Sequence, residues 1–262
     1  MIERSFRTGI DAVTSHRVRR LLVRVSVALC VALPAKAQQD TTVTLHYHVR
    51  PPFTVPQGDG VGGLTGGVAT AAFRSAGVPF RTAQTPAARF LEIIRANQGQ
   101  DCGIGWFRNA ERELVGKFTR PLYRDEPMVV LAAADSTRVK GSETLVDLLR
   151  NPELTLLVKQ SYSYGRVLDP LLAQYHVRRE VVSVENTQMQ RMVAAKRADY
   201  MFATPEETAL TVAQGGLKPE QFHIWRPAGM PRGEYRYLYC SKAVPDATIE
   251  RLNDALARAK VL

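Results

Sequence analysis

The feature that most constrains the fold is a repeated alternation of short apolar runs with amphipathic segments. β-Branched and aromatic residues fill runs typical of strands, whereas apolar residues three or four positions apart indicate helices. The predicted strands are 41–49, 78–80, 101–105, 127–133, 155–158, 180–184, 199–203 and 235–240, and the predicted helices are 68–76, 87–96, 142–149, 164–174, 187–196 and 246–259. This order predicts an α/β fold with parallel strands and crossover helices.

The alternation begins a second time after the extended apolar run 127–133. Such a run is typical of a strand that leaves one sheet and enters another. Because two sheets of similar make-up exceed what one ordinary domain needs, the sequence predicts two domains.

Residues 1–37 have the pattern of a secretory signal. Several arginines precede an apolar run at 25–33, and Ala35-Lys36-Ala37 follows it. This order predicts cleavage after Ala37 and a periplasmic protein that starts at Gln38. The apolar run is far shorter than the roughly 20 residues that a membrane span needs.

The charge of the chain argues against nucleic acid as a partner. Seven of the 35 basic and two of the 25 acidic residues precede Gln38, which leaves a formal charge of +5 on the remainder. These charges form no lysine and arginine block and no platform of interleaved aromatic residues. No segment after the signal is apolar enough to span a membrane, so we expect no membrane insertion once the signal is removed. We also expect a monomer.

Cys102 and Cys240 are the two cysteines that follow the signal, and both lie in predicted strands. An oxidising periplasm would allow them to pair. The sequence does not establish the Cα separation that a disulfide needs, so two separate buried thiols are the favoured expectation.

The order of several short motifs resembles that of the extracellular solute-binding proteins of family 3, the polar amino-acid-binding type. The motifs are Pro52-Phe53, Gly63-Leu64-Thr65-Gly66, the run 105–112, the run 118–123, the run 196–200 and the run 239–242. The resemblance covers nearly the whole chain after the signal. It implies a type II, Venus-flytrap fold in which each lobe is a mixed, mostly parallel sheet flanked by helices. The first lobe would contain residues 38–128 and 228–262, and the second lobe residues 129–227.

The resemblance assigns the role of binding the ligand's carboxylate to Arg112, six residues before Phe118. A guanidinium suits this role because its planar fork donates two parallel hydrogen bonds to one carboxylate. The alternative is an exposed helix arginine paired with Glu111 or Glu113.

Other ligand-binding candidates flank Arg112 and the first strand. Gly105 would offer backbone groups to the ligand, and Trp106 and Phe107 either form an apolar wall or belong to the core of the lobe. Arg50 stands where the family commonly places an aromatic residue, close to Phe53. A second cation there favours a second anionic group on the ligand, and a solvent-exposed loop arginine is the alternative.

In the second lobe, Ser161 and Tyr162 lie between a strand and a helix, where hydroxyl and N–H groups can hold an anion. The family usually places an aspartate for the ligand's ammonium five positions after Asp199, and this chain has Thr204 there. Glu206 could substitute as the anion, or it could be a helix-terminal charge that the helix dipole favours.

No nucleotide-binding, phosphate-binding or nucleophile-elbow motif is present, so we expect no cofactor and no catalytic residues. His46 and His48 would share one face of a strand, but without a third ligand nearby we expect no metal site.

Three functions follow from the resemblance. The first is a solute-binding protein that captures a small amino-acid-like ligand or another carboxylate, with an ABC permease as its membrane partner. The second is an enzyme, a dehydratase acting on cyclohexadienyl acids with Glu206 as general acid. The third is a sensor or accessory binding protein without a transport role.

Overall fold

The computed structural model describes residues 42–259, and the predicted signal and its cleavage site lie outside this range. These residues form twelve strands, eight α-helices and one short 3-10 helix, Pro219–Gln221. The strands are β1 (Val43–Tyr47), β2 (Val55–Gln57), β3 (Gly60–Gly62), β4 (Phe80–Gln84), β5 (Asp101–Phe107), β6 (Gly116–Arg124), β7 (Val129–Ala133), β8 (Leu156–Lys159), β9 (Arg179–Val182), β10 (Tyr200–Ala203), β11 (Phe222–Trp225) and β12 (Tyr235–Ser241). The helices are α1 (Gly63–Ser75), α2 (Ala87–Ala96), α3 (Ala110–Val115), α4 (Leu145–Arg150), α5 (Leu168–Gln174), α6 (Asn186–Ala194), α7 (Pro205–Gln214) and α8 (Asp246–Arg258).

Two mixed sheets of five strands organise these elements, and a small β2–β3 hairpin stands apart from them. The first sheet has the order β4-β1-β5-β12-β6, in which β4, β1 and β5 are parallel and β12 is antiparallel to both neighbours. The second has the order β11-β7-β10-β8-β9, in which β10, β8 and β9 are parallel and β7 is antiparallel to β10 and β11. We call the first sheet with its helices the first lobe, and the second sheet with its helices the second lobe.

The central strands of the second sheet, β7, β8 and β10, are apolar on both faces because helices cover both sides. In β10, for example, Tyr200 and Phe202 pack into a core with α4 and α5, whereas Met201 packs into another with α6 and α7. Alternate side chains of a strand point to opposite faces, so this near-continuous apolar pattern is the one expected of a covered sheet. In the first lobe, α1 and α8 contribute to the core on one face of the sheet and α2 to the core on the other.

The chain passes between the sheets twice, once from β6 to β7 and once from β11 to β12. The first sheet accordingly uses strands from 43–124 and from 235–241, and the second uses strands from 129–225. The lobe boundaries given above remain a prediction. Within the described range, no helix is both long enough and apolar enough to cross a membrane.

Cys102 and Cys240 form a disulfide, contrary to the expectation of two separate thiols. The two residues face each other on the neighbouring strands β5 and β12, and their Cα atoms are 4.0 Å apart. The pairing of these two strands brings the cysteines together across 138 residues of sequence, which no local pattern reveals.

Candidate ligand-binding cleft

Parallel strands of both lobes direct their carboxyl ends to one cleft. In the first lobe the cleft is lined by the residues that follow β1 and β4 and by the end of β5. In the second it is lined by the residues that follow β8 and β10. Ligands of open α/β sheets bind beyond the carboxyl ends of the strands, so this is where we expect a ligand.

The cleft has two neighbouring chambers and a further cavity of about 40 Å³ beside Thr204 and Glu207. Another cavity, of about 420 Å³, lies beside Arg112 and is also lined by Ser161 and Asp169. The outer chamber, of about 540 Å³, is lined by residues that include Gln84, Thr85, Asn186, Glu207 and Gln214. The inner chamber, of about 40 Å³, is lined by His48, Arg50, Ala87, Gly105, Trp106, Phe107, Arg112, Ser161, Tyr162, Ser163 and Arg236. His48, Arg50 and Tyr162 line both. The volume of the outer chamber lies in the usual range for sites that bind small molecules.

The Arg112 side chain is buried in the wall of the inner chamber, with 8% of the residue exposed. One terminal nitrogen, Nη1, donates to the carbonyl oxygen of Phe107 at 2.7 Å. The other, Nη2, donates to the carbonyl oxygen of Ser161 in the second lobe at 3.3 Å. The guanidinium also lies 4.8 Å from the centroid of the Trp106 ring. Burial lowers the pKa of Arg112, although an arginine keeps its charge in a protein.

Arg112 has no carboxylate partner among residues 42–259. The two acids that flank it in sequence are paired elsewhere, Glu111 with Arg95 at 3.0 Å and Glu113 with Arg108. The alternative of an exposed helix arginine paired with Glu111 or Glu113 is therefore wrong. Arg112 is placed by α3, whose first turn is capped by Asn109 Oδ1, which accepts a hydrogen bond from the Arg112 backbone N–H at 2.9 Å.

The end of β5 forms the floor of the inner chamber. Gly105 has φ +79°, in the left-handed region that favours glycine, and its carbonyl oxygen accepts a hydrogen bond from Arg236 at 3.1 Å. Trp106 both lines the chamber and packs in a core cluster with Phe90 and Tyr239. Trp106 therefore belongs to the core of the lobe and also lines the chamber, where its ring contacts Arg112. Its role as an apolar wall for a ligand remains a prediction.

A buried ion pair supports the chamber from the first lobe. Arg236 in β12 binds Asp125 through two parallel hydrogen bonds of 2.6 Å, and both side chains are at most 5% exposed. The guanidinium of Arg236 lies 4.1 Å from the ring centroid of Phe53 and 4.7 Å from that of Phe107. Phe53 itself is buried and lies outside the lining of both chambers.

Arg50 crosses the cleft and binds Glu207 at the start of α7. Its loop is fixed because the carbonyl oxygens of Pro52 and Phe53 accept hydrogen bonds from the first backbone N–H groups of α1. Although burial lowers the pKa of Arg50, the nearby Glu207 carboxylate raises it above its usual value. Arg50 is thus part of the cleft and not a loop arginine in solvent.

Every oxygen of the Glu207 carboxylate has a partner. Oε2 accepts hydrogen bonds from Arg50 and from the hydroxyl of Thr204, the latter at 2.8 Å, and Oε1 accepts one from Asn186 Nδ2. Burial opposes ionisation of this group, but Arg50, Arg236 and the Thr204 hydroxyl together outweigh burial, so the pKa of Glu207 lies below its usual value. Glu207 is therefore a carboxylate at neutral pH.

His48 and Tyr162 meet across the cleft, with His48 Nε2 3.1 Å from the Tyr162 hydroxyl. Burial, together with the neighbouring cations Arg50 and Lys159, lowers the pKa of His48 from 6.5 to about 3. The imidazole is neutral at physiological pH, so it adds no charge to the chamber.

The second lobe contributes the segment that follows β8. Ser161 has φ +66° and turns its carbonyl oxygen toward Arg112, while the Tyr162 ring lies 5.4 Å from the Arg50 guanidinium. Thr204 lies at the start of α7 and holds Glu207.

Glu206 lies outside the lining of both chambers. Its Oε1 accepts hydrogen bonds from the Tyr123 hydroxyl at 3.1 Å and from the Glu126 backbone N–H at 2.8 Å. This acid therefore links α7 to the segment that follows β6, and its neighbour Glu207 is the acid that faces the cleft.

The two strand histidines contact different partners. His46 binds Thr85 and Asp101, each at 2.8 Å, whereas His48 contacts Tyr162. In the part of the chain that the structure describes, no three histidine, cysteine or acidic residues are grouped to hold a metal ion.

Seven of the ten predicted site residues line the inner chamber, namely Arg50, Gly105, Trp106, Phe107, Arg112, Ser161 and Tyr162. Their roles toward a ligand remain predictions. The sequence analysis missed Glu207, Asn186, Arg236, Asp125 and the role of His48. Glu207 alone had a local signal, because it lies next to Glu206 in the segment where the family places its acid.

Several solved structures are similar to this chain over 84% of its length. An ancestral arginine-binding protein bound to arginine has a TM-score of 0.65 at 14% identity, with 92% of that chain covered. The GluR0 ligand-binding core from Nostoc punctiforme, in complex with L-glutamate, has a TM-score of 0.62 at 17% identity, with 92% covered. GshT of Streptococcus mutans, described in glutathione import with the cystine ABC importer TcyBC, has a TM-score of 0.65 at 16% identity, with 90% covered.

No protein-family model matches the sequence, and a search of curated proteins finds no significant match. At such low identities, the structural similarity bears on the fold alone. It confirms the predicted α/β, two-lobed fold of the periplasmic-binding-protein type.

Proposed function

We propose that the protein is a solute-binding protein that captures a small carboxylate ligand between its two lobes. The observation that carries the proposal is the buried guanidinium of Arg112, which faces the inner chamber and has no carboxylate partner among the described residues. A buried cation is stabilised by an anion that reaches it, and exclusion of water strengthens that attraction.

The geometry also supports capture by closure of the two lobes. Arg112 reaches from the first lobe to Ser161 of the second, and His48 reaches from the first lobe to Tyr162. A ligand bound to Arg112 would touch both lobes, so its binding would stabilise the closed arrangement. Proteins of similar fold bind arginine and glutamate, and both of these compounds carry a carboxylate.

The experiment that tests this proposal is mass spectrometry of small molecules released when the purified protein is denatured. We expect a carboxylate-containing compound in stoichiometric amount from the wild-type chain and its loss from Arg112→Met. Wild-type protein that releases no such compound, and is not stabilised against heat by any member of a panel of small carboxylates, would contradict the proposal.

We propose that the protein is exported and acts in the periplasm as the binding component of an ABC importer. The signal pattern in residues 1–37 supports export, and the similarity in fold to GshT supports a transport role. N-terminal sequencing of the mature protein should begin at Gln38. Co-purification with a permease from membranes would support the importer, whereas a complex with a sensor ectodomain would favour a sensory role.

The dehydratase alternative has little support from the geometry. Glu206 lies outside both chambers, so it is not positioned to act on a ligand there. Glu207 faces the outer chamber and is ionised by its pairing with Arg50, whereas a general acid must carry a proton at the working pH. Product formation from prephenate or arogenate would nevertheless establish the enzyme.

A further inference from the structure

The charges that face the cleft are almost completely paired within the protein. Arg236 binds Asp125, Arg50 binds Glu207, and Lys159 binds Glu185 at 2.7 Å. Arg112 is the remaining cation of this group, and no carboxylate among residues 42–259 lies within ion-pair distance of it, although Asp169 attracts it from farther away. The lining of the inner chamber holds three arginines and no acid, so an anionic ligand could pair directly with Arg112 there.

The acid that could receive a ligand's ammonium is already occupied. Both oxygens of Glu207 accept hydrogen bonds, and Arg50 supplies the opposite charge. An ammonium that bound Glu207 would have to displace a guanidinium, which would leave Arg50 buried without a counter-charge. Such an exchange is costly because a buried charge needs a partner.

The other acids near the cleft are also engaged. Glu185 has a side chain that is 74% exposed and binds Lys159, and Glu111 has one that is 75% exposed and binds Arg95. Asp169 accepts hydrogen bonds from the Ser163 hydroxyl and the Tyr164 backbone N–H. Asp169 has no cation partner among the described residues, but both of its oxygens accept hydrogen bonds and it lines the cavity beside the inner chamber. An ammonium placed in the inner chamber would therefore lie near three arginines, with no carboxylate in the lining of that chamber.

A neutral hydrogen-bond acceptor on the ligand could bind to a hydrogen-bond donor in the wall of the cleft. The Nε atom of Arg50 is buried and has no hydrogen-bond partner among the described residues. A buried donor without an acceptor is unfavourable, so a ligand oxygen that reaches it adds to affinity. A keto or hydroxyl oxygen next to a carboxylate has this chemistry.

We propose that the ligand is a small organic acid without an ammonium group, such as a 2-oxo or 2-hydroxy acid, and not a zwitterionic amino acid. Arg112 would hold its carboxylate, and the Arg50–Glu207 pair would exclude the ammonium of an amino acid. This inference rests on the proposed function, since it names the ligand class of the same cleft.

The test is calorimetric titration with compounds that share a side chain. One set is L-phenylalanine, L-phenyllactate and phenylpyruvate, a second is L-leucine with its 2-hydroxy and 2-oxo counterparts, and a third is L-glutamate with 2-oxoglutarate. In each set that binds, we expect the oxo or hydroxy acid to bind at least about tenfold more tightly than the amino acid. Tighter binding of the amino acid would overturn the inference while leaving the proposed function intact. Failure of every compound in all three sets would reject both.

The role of the ion pair is tested with Arg50→Gln, which leaves the Glu207 carboxylate free. Relative to the wild type, we expect the ratio of the affinity for the amino acid to the affinity for its oxo or hydroxy counterpart to rise about tenfold. The double variant Arg50→Gln/Glu207→Gln removes the acid as well and should lose this gain. Arg74→Gln is a matched control, because Arg74 pairs with Asp59 on the surface. A preference in Arg50→Gln equal to that of the control would contradict the proposed role, and the wild-type titrations decide the ligand class even if Arg50→Gln does not fold.

Discussion

At the scale of single residues, the protein buries several charges around one small chamber and leaves one of them without an opposite charge. Asp125 and Glu207 are buried acids, and each is held by an arginine from the first lobe. Buried charges are tolerated when they are paired and hydrogen-bonded. Arg112 departs from this rule within the described chain, and such departures are where binding sites are expected.

The sequence was sufficient to predict that Arg112 lies in the wall of the cleft, because its position relative to Phe118 resembles a family pattern, and its role toward a ligand stays a prediction. The sequence was not sufficient to decide whether Glu206 or Glu207 is the acid that faces the cleft. Successive residues of a helix point in directions about 100° apart, so the choice depends on where α7 begins and how it is turned. Pro205 starts this helix, which puts Glu207 toward Arg50 and Glu206 toward Tyr123.

The lowered pKa of His48 predicts a loss of stability in mild acid. The unfolded chain takes up a proton at this residue near pH 6.5, whereas the folded chain does so only near its pKa of about 3. The unfolded state therefore binds more protons between these values, and the free energy of unfolding falls as the pH falls from 6.5, by at most about 1.4 kcal/mol per pH unit.

Urea unfolding of wild type and His48→Gln at pH 7 and pH 5 measures this contribution. The variant should lose less stability on acidification than the wild type. His223→Gln, which alters an exposed histidine in β11, is the control and should behave like the wild type. If the free energy of unfolding depends equally on pH in His48→Gln and in the wild type, the lowered pKa of His48 is refuted.

The buried Arg236–Asp125 pair predicts a large effect of a single substitution. Arg236→Met leaves the Asp125 carboxylate buried without a counter-charge, so we expect a loss of about 3–5 kcal/mol in the free energy of unfolding. Arg74→Ala breaks the exposed pair with Asp59 and should cost less than about 1 kcal/mol. Urea denaturation of both variants makes the comparison, and similar losses would show that the buried pair contributes no more than a surface one.

At the scale of secondary structure, the sequence predicted best those elements whose pattern is local. Helix α2 has the predicted bounds 87–96, and its buried residues Phe90 and Ile94 have the four-residue spacing that indicated a helix. Strands β7, β8, β10 and β12 lie within three residues of their predicted bounds, because apolar runs bounded by polar residues mark buried strands.

The elements and element bounds that the sequence did not predict depend on partners far away in the chain. Strand β6 contains Pro121 and several charged residues, and it pairs with β12. Helix α1 begins five residues before its predicted start, within a glycine-rich segment, because its first backbone N–H groups bond to the loop that carries Arg50. Neither cause can be recognised from local propensity.

The disulfide between β5 and β12 predicts that reduction destabilises the protein. The bond joins residues 138 positions apart, so its closure restricts a long loop of the unfolded chain. Removing it should lower the free energy of unfolding by about 2–5 kcal/mol. Thermal unfolding of the Cys102→Ala/Cys240→Ala variant against the oxidised wild type measures the loss, and identical midpoints would contradict it.

At the scale of the whole molecule, the two lobes meet through contacts in the cleft and beside it, and also through Glu234, which accepts a hydrogen bond from the Arg166 backbone N–H at 2.9 Å. Arg50 reaches Glu207, Arg112 reaches Ser161, and Tyr123 reaches Glu206. The two-lobed fold could be predicted because the alternation of strands and helices occurs twice. The contacts between the lobes could not, since each joins residues that are distant in sequence.

The account depends on Arg112 as the residue that holds an anion inside the cleft. The most direct test is a calorimetric titration of wild type and Arg112→Met with the compound released from the purified protein. Methionine retains most of the aliphatic volume, so the apo variant should still fold, which near-ultraviolet circular dichroism checks. Arg108→Met is the control, because Arg108 is paired with Glu113 outside both chambers. We predict that Arg112→Met loses about 2 kcal/mol or more of binding free energy, which is about 30-fold in affinity, while the control binds like the wild type. A folded Arg112→Met protein that binds with wild-type affinity would contradict the account.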